Sequence, residues 1–228
     1  MSLGKTAIIR PDDEGFYSNG AYILIHPDDM KPGAALIQEC ATCQPLVMFI
    51  GGAKDDEYKN VLQFIFHPYN VKHESHQDIG YGTFQTASAI TNIAREWHGK
   101  GQKICLVGHS YGADTAMVVA QVLSAEHIDI ELVVTLDPVG RKFDDPPAKP
   151  DKLHRWLNVY VDYKKEECKN CGAFTPNGIA KLGGPWQSCA GADKNMVYVN
   201  YQYPCWSHAE AAEMFKQFGY DIEVANVK

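Results

Sequence analysis

A chain of 228 residues, 45% of them hydrophobic, is long enough to bury a sizeable core, and its ordinary composition, without repeats or low-complexity runs, excludes a disordered or repeat-array architecture. A net charge of −7, spread over scattered carboxylates, offers no clustered Lys and Arg surface for phosphates, so no nucleic-acid partner is expected. The longest apolar stretches are strand length and residues 1–6 lack the apolar core of a secretory signal, so no transmembrane segment is expected. The chain reads as cytoplasmic, or as exported without a classical signal peptide.

Short apolar runs bounded by Pro, Gly or Asp predict strands over residues 6–10, 21–26, 45–51 and 63–67. Residues 77–98 read as a helix, with Ile90, Ile93, Ala94 and Trp97 at three- and four-residue spacing. The segment 103–107, continuously apolar from Ile104 to Val107, is what a strand buried on both faces of a parallel sheet requires. A helix over 113–125, strands over 131–136 and 156–161, an alternating segment over 196–203 and a helix over 209–218 complete the pattern. Strand and helix alternate through the middle of the chain, which predicts a three-layer α/β fold with a central, mostly parallel sheet. One domain over residues 1–228 is expected, with loops at about 141–155 and 163–195 long enough to cover a site.

Between the strand at 103–107 and the helix at 113–125 lies Gly108-His109-Ser110-Tyr111-Gly112. With 19 glycines in the chain, this Gly-x-Ser-x-Gly spacing arises by chance only about 0.06 times in such a composition, before the strand and helix on either side are demanded. A serine hydroxyl is a weak nucleophile until a base takes its proton, and a sharp strand-to-helix turn pushes it out where base and substrate can reach it. Gly108 and Gly112 allow strand and helix to approach closely, and Ser110 is the candidate nucleophile.

Behind such an elbow the remaining members follow in the order acid, then histidine. Only His127, His154 and His208 come after Ser110. His127 precedes the strand that would carry the acid, and His154 sits just before a strand, at the edge opposite the site. His208 lies between the last strand and the last helix and is the candidate base. Asp137, directly at the end of the strand 131–136, is the preferred acid, with Asp162 at the end of the next strand as the alternative. The backbone N–H of Tyr111 and that of Gly52 or Ala53, where a buried strand runs into two glycines, are the candidate oxyanion donors.

Residues 104–112 (Ile-Cys-Leu-Val-Gly-His-Ser-Tyr-Gly), the segment Leu136-Asp137-Pro138-Val139 and the late His208 resemble the lipase/esterase branch of the α/β-hydrolases. The resemblance spans roughly residues 45–218 and implies an α/β-hydrolase-like fold, a small-molecule or lipid ester substrate, acyl-enzyme chemistry and no cofactor. Two departures stand out: Gly51-Gly52-Ala53 replaces the His-Gly-rich oxyanion segment common in esterases, and there is no obvious cap domain. A thioesterase, amidase or acyltransferase would use the same residues, and a catalytically silent binding module on the same scaffold is the alternative of another class.

Other features carry less. Cys40/Cys43 and Cys168/Cys171 have Cys-x-x-Cys spacing, but the 125-residue interval between the pairs is far from a compact zinc knuckle, so no metal site is expected; disulfides among Cys168, Cys171, Cys189 and Cys205, or free thiols, are the readings kept. His67, His73 and His76 read as surface histidines near a helix start. Phe174, Leu182, Pro185 and Trp186 suit either an acyl-chain wall or the core.

Overall fold

The computed structural model describes residues 6–9, 35–38, 45–74, 76–140 and 145–227. Its strands are β1 (Thr6–Ile9), β2 (Ala35–Gln38), β3 (Leu46–Gly51), β4 (Asp78–Thr83), β5 (Ile104–His109), β6 (Ile130–Leu136), β7 (Leu153–Tyr160) and β8 (Lys194–Val197). The helices are α1 (Asp55–Tyr58), α2 (His67–His73), α3 (Ala87–Gly99), α4 (Tyr111–Ala125), α5 (Glu166–Lys169), α6 (Pro176–Leu182), α7 (Ala211–Gln217) and α8 (Tyr220–Ala225). The strands form one sheet in the order β1-β2-β4-β3-β5-β6-β7-β8. From β4 to β8 all neighbours are parallel, while β2 joins antiparallel to β4 and to β1.

Alternation along the central strands divides the core in two, one half on each face of the sheet. Val47 and Phe49 of β3, with Cys105 and Val107 of β5, face Leu62, Phe215 and Tyr220; Met48, Ile50 and Leu106 face Trp97, Met117 and Leu123. Strands covered on both faces are apolar throughout, and every residue of β3 and β5 is buried. The expected three-layer architecture is therefore what the chain forms. The helix expected from Ile90, Ile93, Ala94 and Trp97 is α3, whose buried face carries all four.

Two expected elements differ. The segment 63–67 is a π-helical turn, Leu62–Phe66, that runs into α2. Leu62, Ile65, Phe66 and Tyr69 are buried while Phe64 is half exposed, which is helical spacing in a run short enough to be read either way. Pro68 lies where the π-helical turn passes into α2, and a residue without an N–H there interrupts the regular i→i−4 bonding. The helix expected from residue 77 begins at Ala87, and Asp78–Thr83 is instead β4. Ile79 and Tyr81 point into one core while Gly82 admits Thr86 and Ile90 on the other face, where a Cβ would lie 2.5 Å from Thr86 Oγ1. The expected strand at 21–26 lies outside the described residues, and β2 was not anticipated. Within 163–195 the chain forms α5 and α6 before reaching β8.

Candidate active site

The parallel strands all present their carboxyl ends on one side, the side where loops of such a sheet converge on a ligand. Ser110 stands there between β5 and α4, with φ 56° and ψ −128°. A non-glycine residue in this conformation costs on the order of 1–3 kcal/mol, which the packed strand and helix must over-determine. The packing is close: a Cβ on Gly108 would lie 2.3 Å from the Gly112 carbonyl oxygen, and one on Gly112 would lie 2.2 Å from the Ile50 carbonyl oxygen. Both clashes are with backbone, which cannot swing aside. Gly112→Ala is expected to destabilise the fold by on the order of 3 kcal/mol. The control is Gly99→Ala, because a Cβ there meets nothing within 4 Å. Denaturant midpoints check this; a Gly112→Ala midpoint equal to wild type would mean that α4 and β3 do not approach as described.

His208 Nε2 lies 3.1 Å from Ser110 Oγ, and its Nδ1 lies 2.6 Å from Asp137 Oδ2. With Nδ1–H donating to the carboxylate, Nε2 is left as an acceptor for the serine proton. The structure thus brings Ser110, His208 and Asp137 together although 98 and 71 residues separate the two pairs in sequence. Asp137 is fully buried and, with φ 41°, a second strained position. Its Oδ1 accepts from the Val161 N–H at 2.8 Å. Asp162 is not brought to His208: its carboxylate accepts from the Lys164 N–H at 3.1 Å, closing its own turn.

His208 sits on a 3-10 turn, Pro204–Ala209. Its N–H donates to Asn177 Oδ1 at 2.8 Å, and Asn177 Nδ2 donates to the Pro204 carbonyl at 2.7 Å. His109 Nε2 donates to the His208 carbonyl at 2.7 Å, and the two rings lie 4.9 Å apart. Burial, then the neighbouring His208, hold the His109 imidazole down to about 3, so it is neutral at ordinary pH. Cys171 and Cys205 form a disulfide that ties this turn to the segment after α5. Cys171 therefore has no thiolate to offer a metal, Cys40 and Cys43 lie outside the described residues, and Cys105, Cys168 and Cys189 are free and buried. Among the described residues, no group of three or more His, Cys, Asp or Glu is arranged to hold a metal ion.

Opposite Ser110, Gly52 is buried against it: a Cβ there would lie 2.6 Å from Ser110 Cβ and 3.2 Å from Ser110 Oγ. Ala53 follows on the exposed side, and Tyr111 opens α4. The loop is held by Asp55, whose buried carboxylate accepts from the Val61 N–H at 2.8 Å and from Tyr81 Oη at 2.6 Å. Of the four late-loop residues, Trp186 belongs to the core while Phe174 and Leu182 are exposed. His109 belonged to the recognised motif but had no task from spacing alone. Asn177 and Asp55 carry no local signature, since the His208 N–H and the Tyr81 hydroxyl that they bind are distant in sequence.

No protein-family model matches the chain, and no curated protein matches it in sequence. Solved structures do resemble it. The mature lipase BlEst2 of Bacillus licheniformis is 13% identical, covers 87% of this chain and 100% of its own, and has a TM-score of 0.52. A hyperthermophilic esterase of the archaeon Pyrobaculum calidifontis is 13% identical over 86% of this chain and 82% of its own, with a TM-score of 0.50. An α/β-hydrolase-like protein of Agrobacterium tumefaciens is 11% identical over 84% and 91%, also at 0.50. The fold is that of the α/β-hydrolases, a parallel central sheet flanked by helices. Among the described residues, no helix is long and apolar enough to cross a membrane.

Proposed function

We propose that this chain is a serine hydrolase that cleaves carboxylic esters through an acyl-enzyme on Ser110. The observation that carries the reading is the continuous relay from Ser110 Oγ through His208 to the buried Asp137, with contacts of 3.1 and 2.6 Å. His208 takes the proton as Ser110 attacks the ester carbonyl, forming the C–O bond. Asp137 fixes the Nδ1–H tautomer and stabilises the imidazolium. The Tyr111 N–H, at the start of a helix of 15 residues, and the N–H of Gly52 or Ala53 receive the oxyanion. Collapse expels the alcohol, protonated by His208, and water activated by the same imidazole then releases the acid. Asp162 is left a structural role. That two structural neighbours are named a lipase and an esterase agrees with an ester as the bond cleaved, and the substrate is taken to be a small-molecule or lipid ester.

The test is covalent labelling by a fluorophosphonate probe, with the adduct located by peptide mass, alongside hydrolysis of p-nitrophenyl esters of short and long acyl chains. A single adduct on the peptide holding Ser110, together with ester turnover, is the expected result. Folded protein that neither labels nor turns over any ester would sink the proposal in favour of a silent scaffold.

A further inference from the structure

We propose that Tyr163 is a positioning residue of this site, the second side-chain donor to the Asp137 carboxylate, and that it tempers how strongly Asp137 stabilises a protonated His208. The inference rests on the reading of Ser110, His208 and Asp137 as a hydrolase triad. β7 ends at Tyr160, the Val161 N–H binds Asp137 Oδ1, and two residues later Tyr163 Oη donates to Asp137 Oδ2. That is the oxygen that accepts from His208 Nδ1–H at 2.6 Å. The phenol oxygen also lies 3.4 Å from His208 Nδ1, so it borders both members of the pair. Asp137 is 0% and Tyr163 6% exposed, which leaves protein donors to satisfy the carboxylate.

Burial, then the charge of Asp137, push the Tyr163 phenol well above its ordinary range, so it keeps its proton and remains a donor. A donor to Oδ2 draws off negative charge that would otherwise stabilise the imidazolium, and it fixes the carboxylate so that Oδ2 faces His208. The other titratable or charged groups facing the pair are His109 at the end of β5, Cys168 on α5 and Lys181 on α6, whose ammonium lies 6.0 Å from the Tyr163 ring centre. His109 is neutral, for the reasons given above, and burial pushes the Cys168 thiol upward. His109 therefore does not change its protonation as the pH rises from weakly acidic, and the upward shift of Cys168 moves its titration away from the acid limb.

The experiment measures the fluorophosphonate labelling rate against pH for wild type, Tyr163→Phe, Ser110→Ala and a protein carrying 3-fluorotyrosine in place of Tyr163 alone. Without the phenol hydroxyl the carboxylate favours the imidazolium more, so the acid limb of Tyr163→Phe moves to higher pH. Labelling is expected to fall on the order of tenfold on the acid side of the wild-type limb and to stay within about twofold on the plateau above it, a displacement of about one unit. Fluorotyrosine, a stronger donor of nearly the same shape, moves the limb the opposite way. It also carries the test if Tyr163→Phe does not fold. A limb that stays in place in the folded variants, with labelling scaled equally at every pH, overturns the proposal and leaves Tyr163 a packing residue. Labelling of Ser110→Ala at the wild-type rate is a separate failure, that of the triad itself.

Discussion

Ser110→Ala is expected to abolish fluorophosphonate labelling and to lower ester turnover on the order of 10⁶-fold, and His208→Ala by a similar factor. In the proposed mechanism the two act as one unit. Without the hydroxyl there is no nucleophile to acylate, and without the imidazole 3.1 Å from it the hydroxyl keeps its proton. The double variant should consequently be little worse than either single one, because the second change removes something already without use. Steady-state hydrolysis of a p-nitrophenyl ester across the three variants measures this. Losses that multiply in the double variant would mean that Ser110 and His208 act independently, and a Ser110→Ala protein that still labels would mean that the nucleophile lies elsewhere. Stability provides a check on the cause. The strained φ of 56° at residue 110 is kept by alanine, so Ser110→Ala should unfold near the wild-type midpoint.

What the sequence made legible follows from where information is local. The run at 104–107 is apolar because β5 is covered on both faces, and the Gly-x-Ser-x-Gly spacing reports the backbone clearance that Gly108 and Gly112 need. Each of those patterns is written within ten residues, so pattern reading reaches it, even though the backbone that Gly112 must clear is that of Ile50. The segments 63–67 and 78–83 fail for a common reason. Leu62, Ile65 and Phe66 are three apolar residues in a run too short to reveal a period, and the decision for helix is taken by packing against β3 and α7. In β4 the glycines at 80 and 82 argue against both helix and strand locally, whereas parallel pairing with β3 settles the matter.

The site divides the same way. Ser110, Asp137 and His208 could be selected because strand ends and chain order limit the choice. Tyr163, Asn177 and Asp55 could not, because each has a side-chain or backbone partner 26, 31 or 26 residues away that no pattern connects to it. Asp162 and Tyr163 are adjacent, and a local reading favours the carboxylate as the ionisable group at a strand end. The fold instead turns that carboxylate back onto its own turn and sends the phenol inward.

The choice between the two acids provides the second large effect. Asp137→Asn is expected to lower ester turnover on the order of 10⁴-fold, and Asp162→Asn to leave it within about threefold. In wild type Asp137 accepts from three directions: the Val161 N–H at Oδ1, and His208 Nδ1–H and Tyr163 Oη–H at Oδ2. An asparagine has one acceptor and one donor to place there. If its oxygen stays on Val161, its NH₂ faces His208 Nδ1, and the imidazole must move its proton to Nε2. It then points an N–H at Ser110 Oγ and cannot accept the serine proton. If the amide is reversed, the NH₂ meets the Val161 N–H in a buried setting, and two unsatisfied donors cost about 1–3 kcal/mol of stability. Asp162→Asn faces no such conflict, since an amide oxygen accepts from the Lys164 N–H as the carboxylate does at 3.1 Å. The kcat for ester hydrolysis together with thermal midpoints for both variants decides the matter. A loss in Asp162→Asn equal to that in Asp137→Asn would transfer the acid's role to the later strand, and with it the reason for burying Asp137 against His208.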